Sequence, residues 1–149
     1  MTTRQVIHRL VTLHMTSPIT MTVRGFLRYD PDDPAAVSLG LRDPVTGEDV
    51  VWRFARELLH EGLIQPAGEG DVIIAPLHVL GEPDLVEIVI TGFDDDGDPS
   101  VMTLTMQRNL ALRFIRRSYM EVPASVESHL IEPQVDELLE EIMRRADTP

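Results

Sequence analysis

Five histidines, His8, His14, His60, His78 and His129, are the side chains best suited to hold a metal or move a proton near neutral pH. His8 and His14 fall on one face of a strand but six residues apart, so ~20 Å separates them, too far for one ion. No HxH or HExxH spacing occurs, and no metal site is expected. The run Asp94-Asp95-Asp96-Gly97-Asp98 invites a calcium reading. A calcium loop starting at Asp94 would need glycine sixth and glutamate twelfth, where Pro99 and Thr105 stand, so a tight acidic turn is expected instead.

Nucleophilic chemistry has no better support. The chain has no cysteine and no lysine, because all thirteen basic residues are arginine. Thiol catalysis, cysteine zinc sites, Schiff bases and a Walker-type phosphate lysine are therefore excluded. The serines sit in no Gly-x-Ser-x-Gly elbow. Gly68 and Gly70 lie in an acidic setting with β-type sequence after them, so they are read as positive-φ backbone positions before a strand rather than a phosphate cradle. No catalytic residue, metal or cofactor is expected, and the chain is read as a non-enzyme.

One charged constellation remains. Arg113, Arg116 and Arg117 repeat at i, i+3, i+4, with Arg108 a turn away, and form a cationic stripe on a helix. Such a stripe suits an acidic partner or single-stranded nucleic acid. It equally suits pairing with Asp136, Glu137, Glu140 and Glu141 within the chain or between subunits. The second reading is favoured, because the net charge of −12 repels phosphates.

The elements that position these residues follow from periodicity. A length of 149 residues fits one core. No apolar run approaches the roughly 20 residues a membrane helix needs. The N-terminus lacks a secretion-signal pattern, and the absence of cysteine favours the cytoplasm.

From Ile19 to Tyr29 the odd positions are mostly apolar and the even ones polar, the mark of a strand with one buried face. Val11, Leu13 and Met15 repeat the pattern across a hairpin at Ser17-Pro18. Asp30-Pro31-Asp32-Asp33-Pro34 must break the sheet. Val37, Leu39 and Leu41 restart it, and Val50, Trp52 and Phe54 line one face of the returning strand. Trp52, Phe54 and Leu58 are expected in the core.

Ala55 to Gly62 predicts a short helix with Gly62 just past its end. Val72 to Leu80, Val86 to Ile90 and Met102 to Met106 predict three further strands, with Pro76 marking an edge or bulge. The period then changes to that of a helix over 108–120, marked by Leu110, Phe114, Ile115 and Tyr119. A second helix is expected from Pro133, where Val135, Leu138, Leu139, Ile142 and Met143 recur at helical spacing. Seven strands and these terminal helices predict an α+β fold, two layers of antiparallel strands with helices gathered at one end. Unpaired strand edges predict self-association.

Two stretches carry a resemblance. Leu27, Arg28, Tyr29 and Asp30 begin LRYDPDDPAAV; Trp52, Phe54, Ala55, Arg56, Leu58, Leu59, Gly62, Leu63, Pro66, Gly68, Gly70, Asp71, Val72 and Pro76 punctuate VVWRFARELLHEGLIQPAGEGDVIIAP. Their order and spacing resemble the SsgA-like family of sporulating actinomycetes, and weaker similarity extends the likeness over roughly residues 20 to 142. The first fifteen residues and the Phe93 to Ser100 stretch depart from the pattern.

The resemblance implies one SsgA-like domain over 1–149, of a whirly-type fold, assembled as a homotrimer in the cytoplasm at septation sites. It also implies a cell-division adaptor in sporulation-specific septum formation. SsgB-type members are of similar length and help localise FtsZ, so FtsZ and other division or SsgA-like proteins are the implied partners, with no membrane insertion. The whirly likeness keeps single-stranded nucleic-acid binding as the alternative. The motif is mostly glycine, proline and apolar residues, so it specifies fold and no partner-contact residue transfers from it.

Overall fold

A computed structural model of the chain describes residues 4–43, 46–93 and 96–124. The expected helix from Pro133, and the acids on it, lie outside the described residues.

Eight strands form one antiparallel sheet: β1 Ile7–Ser17, β2 Met21–Tyr29, β3 Ala36–Arg42, β4 Asp49–Ala55, β5 Ala67–Glu69, β6 Val72–Leu77, β7 Leu85–Phe93 and β8 Pro99–Gln107. Helix α1, Arg56–Gly62, follows β4, and α2, Arg108–Glu121, follows β8. The sheet order is β4-β3-β2-β1-β8-β7-β6-β5. Most neighbours in that order are hairpin-connected, and the β1–β8 pairing joins the two halves. The α+β class is as the periodicity predicts, with the two layers realised as the two halves of one sheet. The sheet curls until Trp52 to Ala55 of β4 share a cleft with Val72 of β6 and Ile90 of β7.

Alternation explains the curl. Val11, Leu13 and Met15 of β1, Val23, Leu27 and Tyr29 of β2, and Val37, Leu39 and Leu41 of β3 all point inward. They join Ile74, Val86, Ile88 and Leu104 from the other half in one core. Each such aliphatic side chain contributes ~1.5–3 kcal/mol by leaving water, which is why the period-two pattern persists so far.

Four expectations are corrected, the last of them at Gly68. An eighth strand, β5, escapes periodicity because three residues are too few to show one; it pairs with Val72, Ile73 and Ile74. The strand from Val72 stops at Leu77, short of Leu80. Pro76 lies beyond the reach of β5, on open edge, where a missing N–H is tolerated. Gly62 is the last helical residue rather than a residue past the end. It is buried, and a β-carbon there would stand 2.4 Å from Ile74 Cγ2, so glycine permits α1 to lie on β6.

Of the glycine pair, Gly70 has φ +59° in the β5–β6 turn, as expected, whereas Gly68 is a strand residue paired with Ile73 and is not among the positive-φ glycines. Helix α2 buries Ala111, Phe114, Ile115 and Ser118, one stripe at helical spacing, with Leu110 and Tyr119 at its margins. Both helices pack toward one end of the curled sheet. The inner face at the other end is left open.

Candidate functional site

The family-like motif residues converge on a buried arginine. Arg56 opens α1 and is fully buried. Its Nη1 donates to Tyr29 Oη at 2.9 Å, to the Ser118 carbonyl at 3.1 Å and to the Val122 carbonyl at 2.8 Å. The guanidinium also stacks over the Tyr119 ring, 4.0 Å from its centroid, and faces Tyr29 at 4.9 Å. The carbonyls it receives belong to the last turn of α2, where partial negative charge gathers and cations are favoured. Tyr29 Oη in turn donates to the Pro34 carbonyl at 3.1 Å. One side chain thus ties β2, the Asp-Pro loop, α1 and the end of α2 together.

The loop is built for that. Asp30 Oδ1 accepts from the Asp32 amide at 2.9 Å, and the Asp30 carbonyl accepts from the Asp33 amide at 2.9 Å. Ala35 then delivers its carbonyl to the Arg56 amide at 2.7 Å. Among the described residues every buried side-chain nitrogen and oxygen has a partner, so this cluster holds structure and offers no spare donor to a substrate. Phe54 is buried, Ala55 precedes α1, and Asp71 accepts at its carbonyl from the Thr91 amide at 2.9 Å. Pro66 is exposed just before β5.

The arginine stripe is less uniform than its spacing suggests. Arg108 Nε donates to the Leu63 carbonyl at 2.8 Å and thereby closes the C-terminal end of α1. Arg117 pairs with Glu121 one turn on, at 3.1 Å. Arg113 and Arg116 are exposed. Of the four arginines in the stripe, only those two have no ion pair or carbonyl partner among the described residues.

The open end of the curled sheet holds an apolar groove of about 280 Å³, walled by Met15, Met21, Met102, Trp52, Val50 and Ile19, with Arg42 and Asp43 at its rim. It exists because Val50, Trp52 and Phe54 share a face but not a depth: Phe54 is buried under α1, Trp52 is half-buried, and Val50 is exposed. Ile19, 59% exposed, overhangs it from the β1–β2 connection. Methionines adapt their shape to a partner at low cost. The pattern of three methionines around one tryptophan was visible in the sequence only as ordinary strand alternation.

The described histidines show no shared cluster. His8 stacks on Phe26, His60 meets Tyr119 edge-on, and His78 pairs with Asp84 at 2.9 Å. Among the described residues no group of three His, Cys, Asp or Glu could hold a metal. No helix among them is long and apolar enough to cross a membrane.

Comparison with known proteins places these features. The family described as Streptomyces sporulation and cell division protein, SsgA, matches residues 23–127. Sporulation-specific cell division protein SsgB of Frankia casuarinae is 38% identical over 117 residues, 77% of this chain and 73% of its own. The SsgB of Salinispora tropica is 38% identical over 122 residues, 80% of this chain and 81% of its own. Among solved structures, an SsgA-like sporulation-specific cell division protein of Thermobifida fusca superposes with a TM-score of 0.74 at 30% identity, covering 94% of this chain and 98% of that one. SsgB of Streptomyces coelicolor superposes with a TM-score of 0.71, also at 30% identity, over 85% of this chain and 95% of that one. The stretches around Tyr29 and Arg56 thus mark a fold shared with division proteins, and the chain belongs to the SsgA family of sporulation and cell division proteins.

Proposed function

We propose that the chain is a non-enzymatic adaptor of sporulation-specific septum formation, acting in the cytoplasm as an SsgB-type protein that helps localise FtsZ. The observation that carries this reading is the extent of the SsgB likeness, 38% identity over about four fifths of both chains in the Salinispora tropica comparison. The site geometry supports it. The residues of the family-like motif spend their polar groups on one another around Arg56, while the apolar groove at Trp52 offers surface suited to a protein side chain. Self-association belongs to the same reading: β4, at one margin of the sheet, has one edge without a neighbouring strand, and a homotrimer covers such edges.

Expression of the chain in a sporulating strain lacking its SsgB-type gene tests the role. Restored sporulation septa are expected. Aerial filaments that stay undivided despite normal levels of the folded chain would overturn it.

A further inference from the structure

The outward face of β1 to β4 carries a pattern that the core does not require. Pairing places Leu10, Phe26, Gly40 and Val51 in one row across the four strands. Leu10 is 80% exposed and Val51 51% exposed. Phe26 lies over Gly40, where a β-carbon would stand 2.1 Å from the ring, and stacks on His8 with centroids 5.0 Å apart. The apolar row is therefore continuous, and glycine at position 40 is what lets the ring lie flat.

Cations flank it on both sides. The row of His8, Arg28, Ser38 and Arg53 runs on one side. On the other side stand Arg24 and Arg42. Arg24, Phe26, Arg28 and Arg42 line one shallow depression, together with Asp49, the cross-strand partner of Arg42. Alternate residues on a strand are ~7 Å apart, so the two cationic rows stand ~14 Å from each other with the apolar row midway. A helix is ~10–12 Å across. Four strands span ~14 Å between the outermost two, the length of two to three helical turns.

On a chain of net charge −12 such a face is a local exception. Its own carboxylates do not close it: Asp30 approaches Arg28 at 3.5 Å, Asp49 approaches Arg42 at 3.9 Å, and Asp33 pairs with Arg53, with all three guanidinium groups open to solvent. Exposed pairs of that kind exchange readily for a partner's carboxylates. The whole chain's charge of −12 repels a long phosphate backbone, and the continuous apolar row between the arginines suits an apolar helix stripe, which favours a protein over a nucleic acid.

We infer that this face docks an acidic amphipathic helix of a partner protein, its apolar stripe on Leu10, Phe26 and Val51 and its carboxylates on Arg24 and Arg42 to one side, Arg28 and Arg53 to the other. The inference rests on the adaptor reading and names a surface for it. Electrostatic matching on both flanks fixes the direction of lay and excludes neutral or basic helices.

Fluorescence anisotropy of the full chain tests this with a synthetic helix of about three turns, leucine along one stripe and glutamate on both flanks. Saturable binding that weakens as salt rises is expected, with at least ~10-fold loss in Arg24→Glu/Arg28→Glu and in Leu10→Asp. A lysine-flanked version of the peptide should prefer the charge-reversed chain. Absence of binding, binding indifferent to these substitutions, or loss only in Trp52→Ala would overturn the inference. So would displacement by a single-stranded oligonucleotide, or a change of oligomeric mass in the charge-reversed chain, which would assign the face to nucleic acid or to a second copy. The FtsZ role is read separately on the wild-type chain: an effect on FtsZ without peptide binding removes only this surface, and peptide binding without an effect on FtsZ removes only the FtsZ reading.

Discussion

The Tyr29 hydroxyl accepts a 2.9 Å hydrogen bond from Arg56 Nη1 and donates one of its own to the Pro34 carbonyl at 3.1 Å. Twenty-seven residues separate the pair in sequence. Removal of either partner leaves the other's polar group buried. Tyr29→Phe should lower stability by ~1–2 kcal/mol and Arg56→Ala by ~3 kcal/mol or more, since three acceptors lose a charged donor. Urea unfolding measures both, and the double variant should show a coupling of ~1 kcal/mol or more. Additive losses would show that the two residues act independently. Arg56→Lys should not restore stability, because an ammonium cannot reproduce the planar guanidinium stacked on Tyr119.

Gly62 and Gly92 separate packing from propensity. Gly62→Ala forces a methyl into Ile74 and should cost ~1–3 kcal/mol. Gly92 lies in β7 with no atom within 4 Å of a β-carbon position, so Gly92→Ala should be neutral or slightly stabilising. Thermal denaturation of the two single variants compares them directly. Equal losses would contradict the close approach of α1 to β6.

Three of the four α2 arginines should divide into two classes. Arg108→Ala removes the donor to the Leu63 carbonyl and should cost ~1 kcal/mol. Arg113→Ala and Arg116→Ala should change stability by no more than ~0.5 kcal/mol, as exposed positions do. A uniform response across the stripe would restore the simpler picture of one cationic face.

Light scattering at micromolar concentration should give a mass near three chains of 16.8 kDa each. A monomer would leave the β4 edge uncovered and contradict the trimer proposal.

These features were unequally legible in the amino-acid sequence. Strands with one dry face, such as Met21 to Tyr29, announce themselves because every second residue must be apolar. Helix α2 does so through a stripe of the helical period. Three residues, Ala67 to Glu69, carry no period, so β5 is legible only through its partner strand. Arg56 reads as a surface cation by composition rules, since unpaired buried arginine is rare. Its burial follows from carbonyls and rings supplied by residues 62 and more positions away, which no local pattern reveals. Phe26 is the one aromatic on an even, otherwise polar position of β2, and Gly40 makes room for its ring. Their meeting depends on register, which a single strand does not show.

Right-angle light scattering of purified FtsZ with GTP, in the presence and absence of the purified chain, tests the central claim most directly. The adaptor account predicts direct association with FtsZ filaments, seen as a scattering increase that scales with added chain and as chain pelleting with the polymer. Scattering identical to FtsZ alone, with the folded chain left wholly in the supernatant, would contradict it.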